Sequence, residues 1–171
     1  MTTQPTSPSV RSQHFLRFAL SPSTQTMLAT DRITEILNLN PQQIIPLPDV
    51  FPEVVGVLNW RGEVLWLVDL SYLLGTEPLF HQLESGSYNA LVVQHPQGMI
   101  GLVINQISQS FWCNPAEIQL LSATQRTTKL SQCLQGYWST PEGETIWVLD
   151  SDAVVNVLHS RSQVTLKRST N

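Results

Sequence analysis

Apolar residues in this chain fall in short runs of four to seven, rich in β-branched and aromatic side chains and closed by Gly, Pro, Asn or Ser. That pattern predicts strands. They are expected near 15–20, 26–28, 44–47, 54–59, 64–68, 89–94, 100–103, 110–113, 134–139 and 145–148. Helical spacing occurs at three places: Ile33, Ile36 and Leu37 after Asp31; Leu70, Leu73 and Leu74 after Asp69; and Val154, Val155 and Leu158 after Asp150 and Asp152. An Asp at the head of such a segment can accept the unpaired N–H groups of a first helical turn, so three short capped helices are expected.

The chain repeats itself. Residues 62–74 align with 143–155 without a gap, and Gly62/Gly143, Glu63/Glu144, Trp66/Trp147 and Asp69/Asp150 are identical. Upstream, Gly56 corresponds to Gly136 with one extra residue in the second turn, and 28–33 echoes 102–107. Two halves are therefore expected, about 13–76 and 87–158, each a curled sheet of about five strands with a short helix. Short strands expose their edges, and closing each sheet on itself removes that liability. Residues 1–12 are rich in Ser, Thr, Pro and Gln, and 159–171 are polar and basic; both are expected to be flexible tails.

Composition narrows the function. A chain of 171 residues with 42% hydrophobic residues can bury a core without covalent staples. Nine Lys and Arg against thirteen Asp and Glu leave a net charge of -4, which argues against a nucleic-acid footprint. A small nucleic-acid-binding barrel is the alternative carried forward; it would need a basic, aromatic strand face. Cys113 and Cys133 lack CxxC spacing and read as reduced, buried thiols. His14, His81, His95 and His159 are scattered singly, and no nucleotide-binding loop, zinc motif or nucleophile elbow occurs. Neither catalysis nor a cofactor or metal is expected. The N-terminus lacks a secretory apolar segment and no run reaches membrane-spanning length, so a cytoplasmic protein is expected, with no direct membrane insertion.

One segment differs between the halves. Val57 to Glu63 reads as a strand entering a tight turn, with Arg61 near its tip and Gly62 supplying the positive φ. The second half keeps Gly143-Glu144 but has Glu142 where the first has Arg61. A feature present in one copy of a repeat and absent from the other is a candidate for function. The tryptophans at repeat-equivalent positions read as structural.

These residues carry a resemblance. Phe15-Leu-Arg-Phe18, Asp31-Arg-Ile-Thr-Glu35-Ile-Leu37, Ile45-Pro-Leu-Pro48, Gly56-Val-Leu-Asn-Trp-Arg-Gly62 with Asp69-Leu70, and Leu74-Gly75 resemble the CheW-like chemotaxis adaptor family. Gly101-Leu-Val-Ile104, Leu134-Gln-Gly136 and Gly143 to Asp150 resemble its second half. The resemblance implies a mostly β fold of two five-stranded SH3-like barrels related by a pseudo-twofold. It implies a signal-transduction scaffold that binds a CheA-type histidine kinase and the cytoplasmic tip of a methyl-accepting chemoreceptor. It places Ile33, Glu35, Asn59, Arg61 and Gly62 at the receptor contact. The Trp at 60, 66 and 147 is similar to versions serving type IV pilus-driven phototaxis. Asn105 stands where the family usually has an acidic residue. Kinase docking needs an apolar centre with a polar rim, and Val57 and Val64 beside the Arg turn are the candidates. Arg61 and Glu35, of opposite charge, are expected to pair.

Overall fold

The computed structural model describes residues 11–79, 88–96 and 98–168, with side chains described through Ser160. In chain order the elements are β1 (Gln13–Ser21), β2 (Thr24–Ala29), β3 (Ile33–Leu39), β4 (Val54–Trp60), β5 (Glu63–Asp69), α1 (Leu70–Leu73), β6 (Tyr88–His95), β7 (Gly98–Ile104), β8 (Ile107–Cys113), β9 (Gln119–Leu120), α2 (Lys129–Gln132), β10 (Leu134–Ser139), β11 (Thr145–Leu149) and α3 (Ser151–Arg168). They form two sheets. One has the order β3-β6-β7-β5-β4, the other β8-β1-β2-β11-β10-β9.

The two orders are the same order. Reading β8 for β3, β1 for β6, β2 for β7, β11 for β5 and β10 for β4 converts one into the other, with the two-residue β9 added at an edge. The registers agree residue for residue. In one sheet β5 runs parallel to β7 with Trp66 opposite Ile100; in the other β11 runs parallel to β2 with Trp147 opposite Thr26. These are two SH3-like barrels related by a pseudo-twofold, as the repeat predicts.

The division into halves at 13–76 and 87–158 needs correction. Each half gives its first hairpin to the other half's sheet: β1–β2 pairs with β8 and β11, and β6–β7 pairs with β3 and β5. Each barrel is thus made from both halves. Parallel pairing explains why this is invisible in a local pattern, since a parallel partner cannot be reached by a tight turn and must come from elsewhere in the chain.

Other expectations change for local reasons. The predicted helix after Asp31 is instead a single 3-10 turn at Thr30–Arg32 followed by strand β3. A bulge between Ile33 and Glu35 shifts the inward face by one residue, so the apolar positions imitate helical spacing. The predicted strand at 44–47 reduces to one bridge, Ile45 opposite Val57, because Pro46 and Pro48 have no N–H for a ladder. The expected C-terminal tail is helical backbone as far as Arg168. Residues 1–10, most of the expected N-terminal tail, lie outside the described residues.

Three apolar clusters hold the assembly. The first barrel encloses Leu39, Ile44, Leu58, Leu65, Leu67 and Val92. The second encloses Phe15, Met27, Cys113, Ile118, Ile146 and Val148. A third and larger cluster lies between the barrels, where Leu16, Phe18, Leu20 and Leu28 of one sheet meet Leu91, Val93, Leu102 and Ile104 of the other, with Leu70 and Val154 from the helices. Strand β6 shows the logic: Ala90 and Val92 face a barrel interior, whereas Leu91 and Val93 face the opposite barrel. Burial on both sides explains why such strands read as continuous apolar runs. At ~1.5–3 kcal/mol for each fully buried large side chain, the exchanged hairpins are held by both their ladders and their outer faces.

Capping follows expectation at two of the three sites. Asp69 Oδ1 accepts the Tyr72 N–H at 3.1 Å and its Oδ2 accepts the Leu79 N–H at 2.7 Å. Asp150 Oδ1 accepts the N–H groups of Asp152 and Ala153 at 3.0 and 3.1 Å. Ser71 Oγ, in α1, donates to Leu20 O at 2.8 Å and ties that helix to β1.

Gly56 and Gly136 occupy equivalent bulges, between β4 and β5 and between β10 and β11. A Cβ on Gly56 would stand 2.4 Å from Ile45 O, and one on Gly136 2.1 Å from Gln119 O. Both obstacles are backbone and cannot rotate away. Gly56→Ala and Gly136→Ala should each lower unfolding free energy by about 2 kcal/mol or more, read from urea midpoints; a loss at only one of them would contradict the structural equivalence.

Candidate functional site

The β4–β5 hairpin turns on two residues. Arg61 has φ 53° and Gly62 φ 85°, and Trp60 pairs with Glu63. Positive φ at both central positions is the type I′ pattern, whose twist matches the flanking strands. Glycine takes it freely, whereas an arginine there costs about 1 kcal/mol. The turn is held despite this. Asn59 Oδ1 accepts the Gly62 N–H at 2.9 Å, and the Arg61 guanidinium lies 5.0 Å from the centre of the Trp60 ring. The matching turn in the second barrel is longer, with Gly143 N–H donating to Thr140 O at 2.9 Å.

Across from the turn stands Glu35 on β3. Its Oε2 accepts a hydrogen bond from Trp60 Nε1 at 2.9 Å and forms an ion pair with Arg61 Nη2, also at 2.9 Å. The expected pairing of Arg61 with Glu35 is therefore present. Strands β3 and β4 are the two edges of their sheet, so these contacts bridge the open seam of the first barrel. The second barrel bridges its seam differently: Phe111 of β8 stacks on Trp138 of β10 at 5.2 Å, and Trp138 Nε1 donates to Glu117 at 3.1 Å. A charged, exposed closure in one barrel and an aromatic one in the other is the clearest chemical difference between them. The Arg61 side chain is 67% exposed and presents its charge to solvent.

Of the predicted receptor-side residues, the structure brings Glu35, Asn59, Arg61 and Gly62 together. Ile33 begins the same strand as Glu35 but packs on the inter-barrel cluster. Val57 and Val64 lie on the outer face of the hairpin. Val57 is half-buried opposite Trp66, and Val64, opposite Asn59, is 68% exposed. Trp66 and Ile45 share that face and are exposed. Reading Trp66 as structural is thus corrected, and Trp60, noted above only for its residue type, is the bridge between Arg61 and Glu35. Strand alternation could have found Trp66, since Leu65 and Leu67 point inward and must leave 64 and 66 outside.

The second barrel's equivalent face is more polar. Tyr137 and Trp147 take the places of Val57 and Trp66 and touch edge to face at 5.7 Å, while Tyr137 Oη donates to Gln119 Oε1 at 2.5 Å. Its turn is neutralised from another strand, with Glu144 accepting from Arg17 at 2.5 Å. Arg32, in the turn before β3, pairs with Asp152 and donates to Ser151 Oγ at 3.2 Å. Both cysteines are free and buried, and burial, reinforced by Asp150, pushes the Cys133 thiol up to about 11. That thiol is inert at neutral pH.

The contacts at Glu35 have different weights. Its ion pair with the exposed Arg61 is worth under about 1 kcal/mol after solvent screening, whereas the part-buried indole N–H would lose its acceptor if Glu35 were removed. Glu35→Ala should cost about 2 kcal/mol, and Glu35→Gln, which keeps an acceptor for Trp60, under about 1 kcal/mol. Arg61→Gly loses the pair but relieves the turn, so its urea midpoint should stay within about 1 kcal/mol of the parent. A larger loss for Arg61→Gly than for Glu35→Ala would contradict this partition.

Comparison with known proteins agrees with the architecture. A search of curated proteins finds no match. Among solved structures, the crystal structure of scaffolding protein TtCheW from Thermoanaerobacter tengcongensis superposes with a TM-score of 0.71 at 14% identity, covering 90% of this chain and 93% of that one. At that identity the likeness shows the fold. The family comes from the sequence model for the CheW-like domain, which matches residues 14–159. With that match spanning both exchanged hairpins and both barrels, the chain belongs to the CheW-like domain family.

Proposed function

We propose that this protein is a cytoplasmic scaffold coupling a methyl-accepting chemoreceptor to a CheA-type histidine kinase. The observation that carries the proposal is the presence of two chemically distinct exposed surfaces on one rigid body. One is the Arg61 turn with Glu35 behind it. The other is the apolar outer face of Ile45, Val57, Val64 and Trp66. A coupling protein needs fixed geometry between two binding surfaces and no catalytic group. The inter-barrel cluster supplies that geometry.

The assignment of partners follows the chemistry. The charged turn suits the receptor tip, where an ion pair gives specificity more than raw affinity. The apolar face suits the kinase, because a hydrophobic centre ringed by polar residues is what stable protein interfaces use. Asn59 and Gly62 shape the turn, and Ile33 supports β3 from the inter-barrel side. The nucleic-acid alternative lacks support: Arg17, Arg32 and Arg61 are each paired with a carboxylate, and the apolar face is made of Ile45, Val57, Val64 and Trp66. Among the described residues no helix is long and apolar enough to cross a membrane.

Charge reversal separates the two surfaces. Arg61→Glu should weaken binding to a receptor cytoplasmic fragment by tenfold or more, an effect on the order of 1.4 kcal/mol, and leave binding to the kinase regulatory domain unchanged. Val64→Asp with Trp66→Asp should do the reverse. Surface plasmon resonance against each partner decides it, and either substitution affecting both partners equally would overturn the assignment.

A further inference from the structure

Three residues set the charged turn of the first barrel apart, and the second barrel replaces all three. The bulge in β3 places Ile33 and Glu35 opposite Val93 and Val92, and the matching bulge in β8 places Ile107 and Gln109 opposite Phe18 and Arg17. Gln109 is therefore the counterpart of Glu35. Leu58 opposite Leu65 corresponds to Trp138 opposite Ile146, which makes Thr140 the counterpart of Trp60 two residues on. Glu142 stands where the first half has Arg61. A tryptophan at the base of the turn thus accompanies the arginine at its tip and the carboxylate across the seam.

Trp60 is a fixed platform. Its ring is half-buried and packs on the core of the first barrel, while its Nε1–H donates to Glu35 Oε2 at 2.9 Å. The Arg61 guanidinium meets two held groups, the indole face at 5.0 Å and the Glu35 carboxylate at 2.9 Å. At an exposed site each contact is weak in stability. Their joint effect is on direction. The planar fork of an arginine recognises an acceptor through N–H groups of fixed geometry, so the way it faces matters as it would not for a lysine.

Given the reading of the Arg61 turn as the receptor contact, on which this rests, we propose that Trp60 is a positioning residue for receptor binding. Its indole, anchored by Glu35 and by the barrel core, orders the Arg61 guanidinium before the receptor arrives. An exposed arginine otherwise samples many rotamers and loses that freedom on binding, and ordering it in advance removes the cost. Trp60 needs no receptor contact of its own, so its effect runs entirely through Arg61.

Two measurements on the intact chain test this, one without the receptor and one with it. Nitrogen-15 relaxation at the Arg61 Nε should report a restrained side chain in the parent and an order parameter below about 0.6 in Trp60→Leu. Trp60→Phe, which keeps a ring face but loses the N–H, should lie between them. In surface plasmon resonance, Trp60→Leu should weaken binding to a receptor cytoplasmic fragment about three- to tenfold and leave binding to the kinase regulatory domain unchanged. In an Arg61→Gly background the same substitution should add nothing, because no guanidinium remains to be held. If circular dichroism shows that Trp60→Leu does not fold, Trp60→Phe carries the same expectations in reduced form. Arg61 equally restrained in parent and Trp60 variants, or an equal loss of receptor affinity with and without Arg61, would overturn the proposal. Full receptor affinity in Arg61→Gly alone would overturn the receptor reading of the turn, a failure that the relaxation data keep distinct from a failure of Trp60 to hold Arg61.

Discussion

The rest of the structure depends on the reciprocal exchange of the β1–β2 and β6–β7 hairpins. Each hairpin completes the other half's sheet, and each carries a second apolar face into the cluster between the barrels. Neither barrel can form without a contribution from both halves of the chain. The orientation between barrels is therefore fixed by ladder hydrogen bonds as well as by side-chain packing. A chain that merely set two closed barrels side by side would depend on an interface of the kind that usually permits domain motion.

That rigidity gives meaning to the asymmetry of the surfaces. The barrels share their strand order, register, capping aspartates and bulge glycines, all of which serve folding. They differ at the seam, where Glu35, Trp60 and Arg61 close one and Phe111 and Trp138 close the other. They differ again on the outer face, where Val57 and Val64 are replaced by Tyr137 and Thr145. The Arg61 backbone stands in a conformation that glycine or asparagine would take more readily. Retaining a charged side chain there at a cost in stability points to a use for the charge at the surface.

Much of this was legible in the sequence, and the failures have physical causes. Gly62, Glu63, Trp66 and Asp69 reveal the duplication because turn, strand and cap are local devices whose residue types are dictated by backbone geometry. The Glu35–Arg61 pair was legible from opposite charge in two segments that the family resemblance sets on one surface. The hairpin exchange was not, since it depends on parallel contacts between residues far apart in sequence. Strand β3 imitated a helix because a bulge changed the phase of its alternation. The role of Trp60 was hidden because it rests on an indole N–H aimed at a carboxylate across a seam, which no sequence spacing encodes. His95 and His159 looked solitary, being on a hairpin end and a helix that meet only in the folded chain.

The central claim is that one rigid body offers separate surfaces to two partners at once. Sedimentation velocity on an equimolar mixture of the protein, a receptor cytoplasmic fragment and a kinase regulatory domain tests it most directly. The account predicts a single species with the mass of a 1:1:1 complex, in which saturation with either partner leaves the affinity for the other unchanged. Displacement of one partner by the other, with only binary complexes in the boundary, would contradict it.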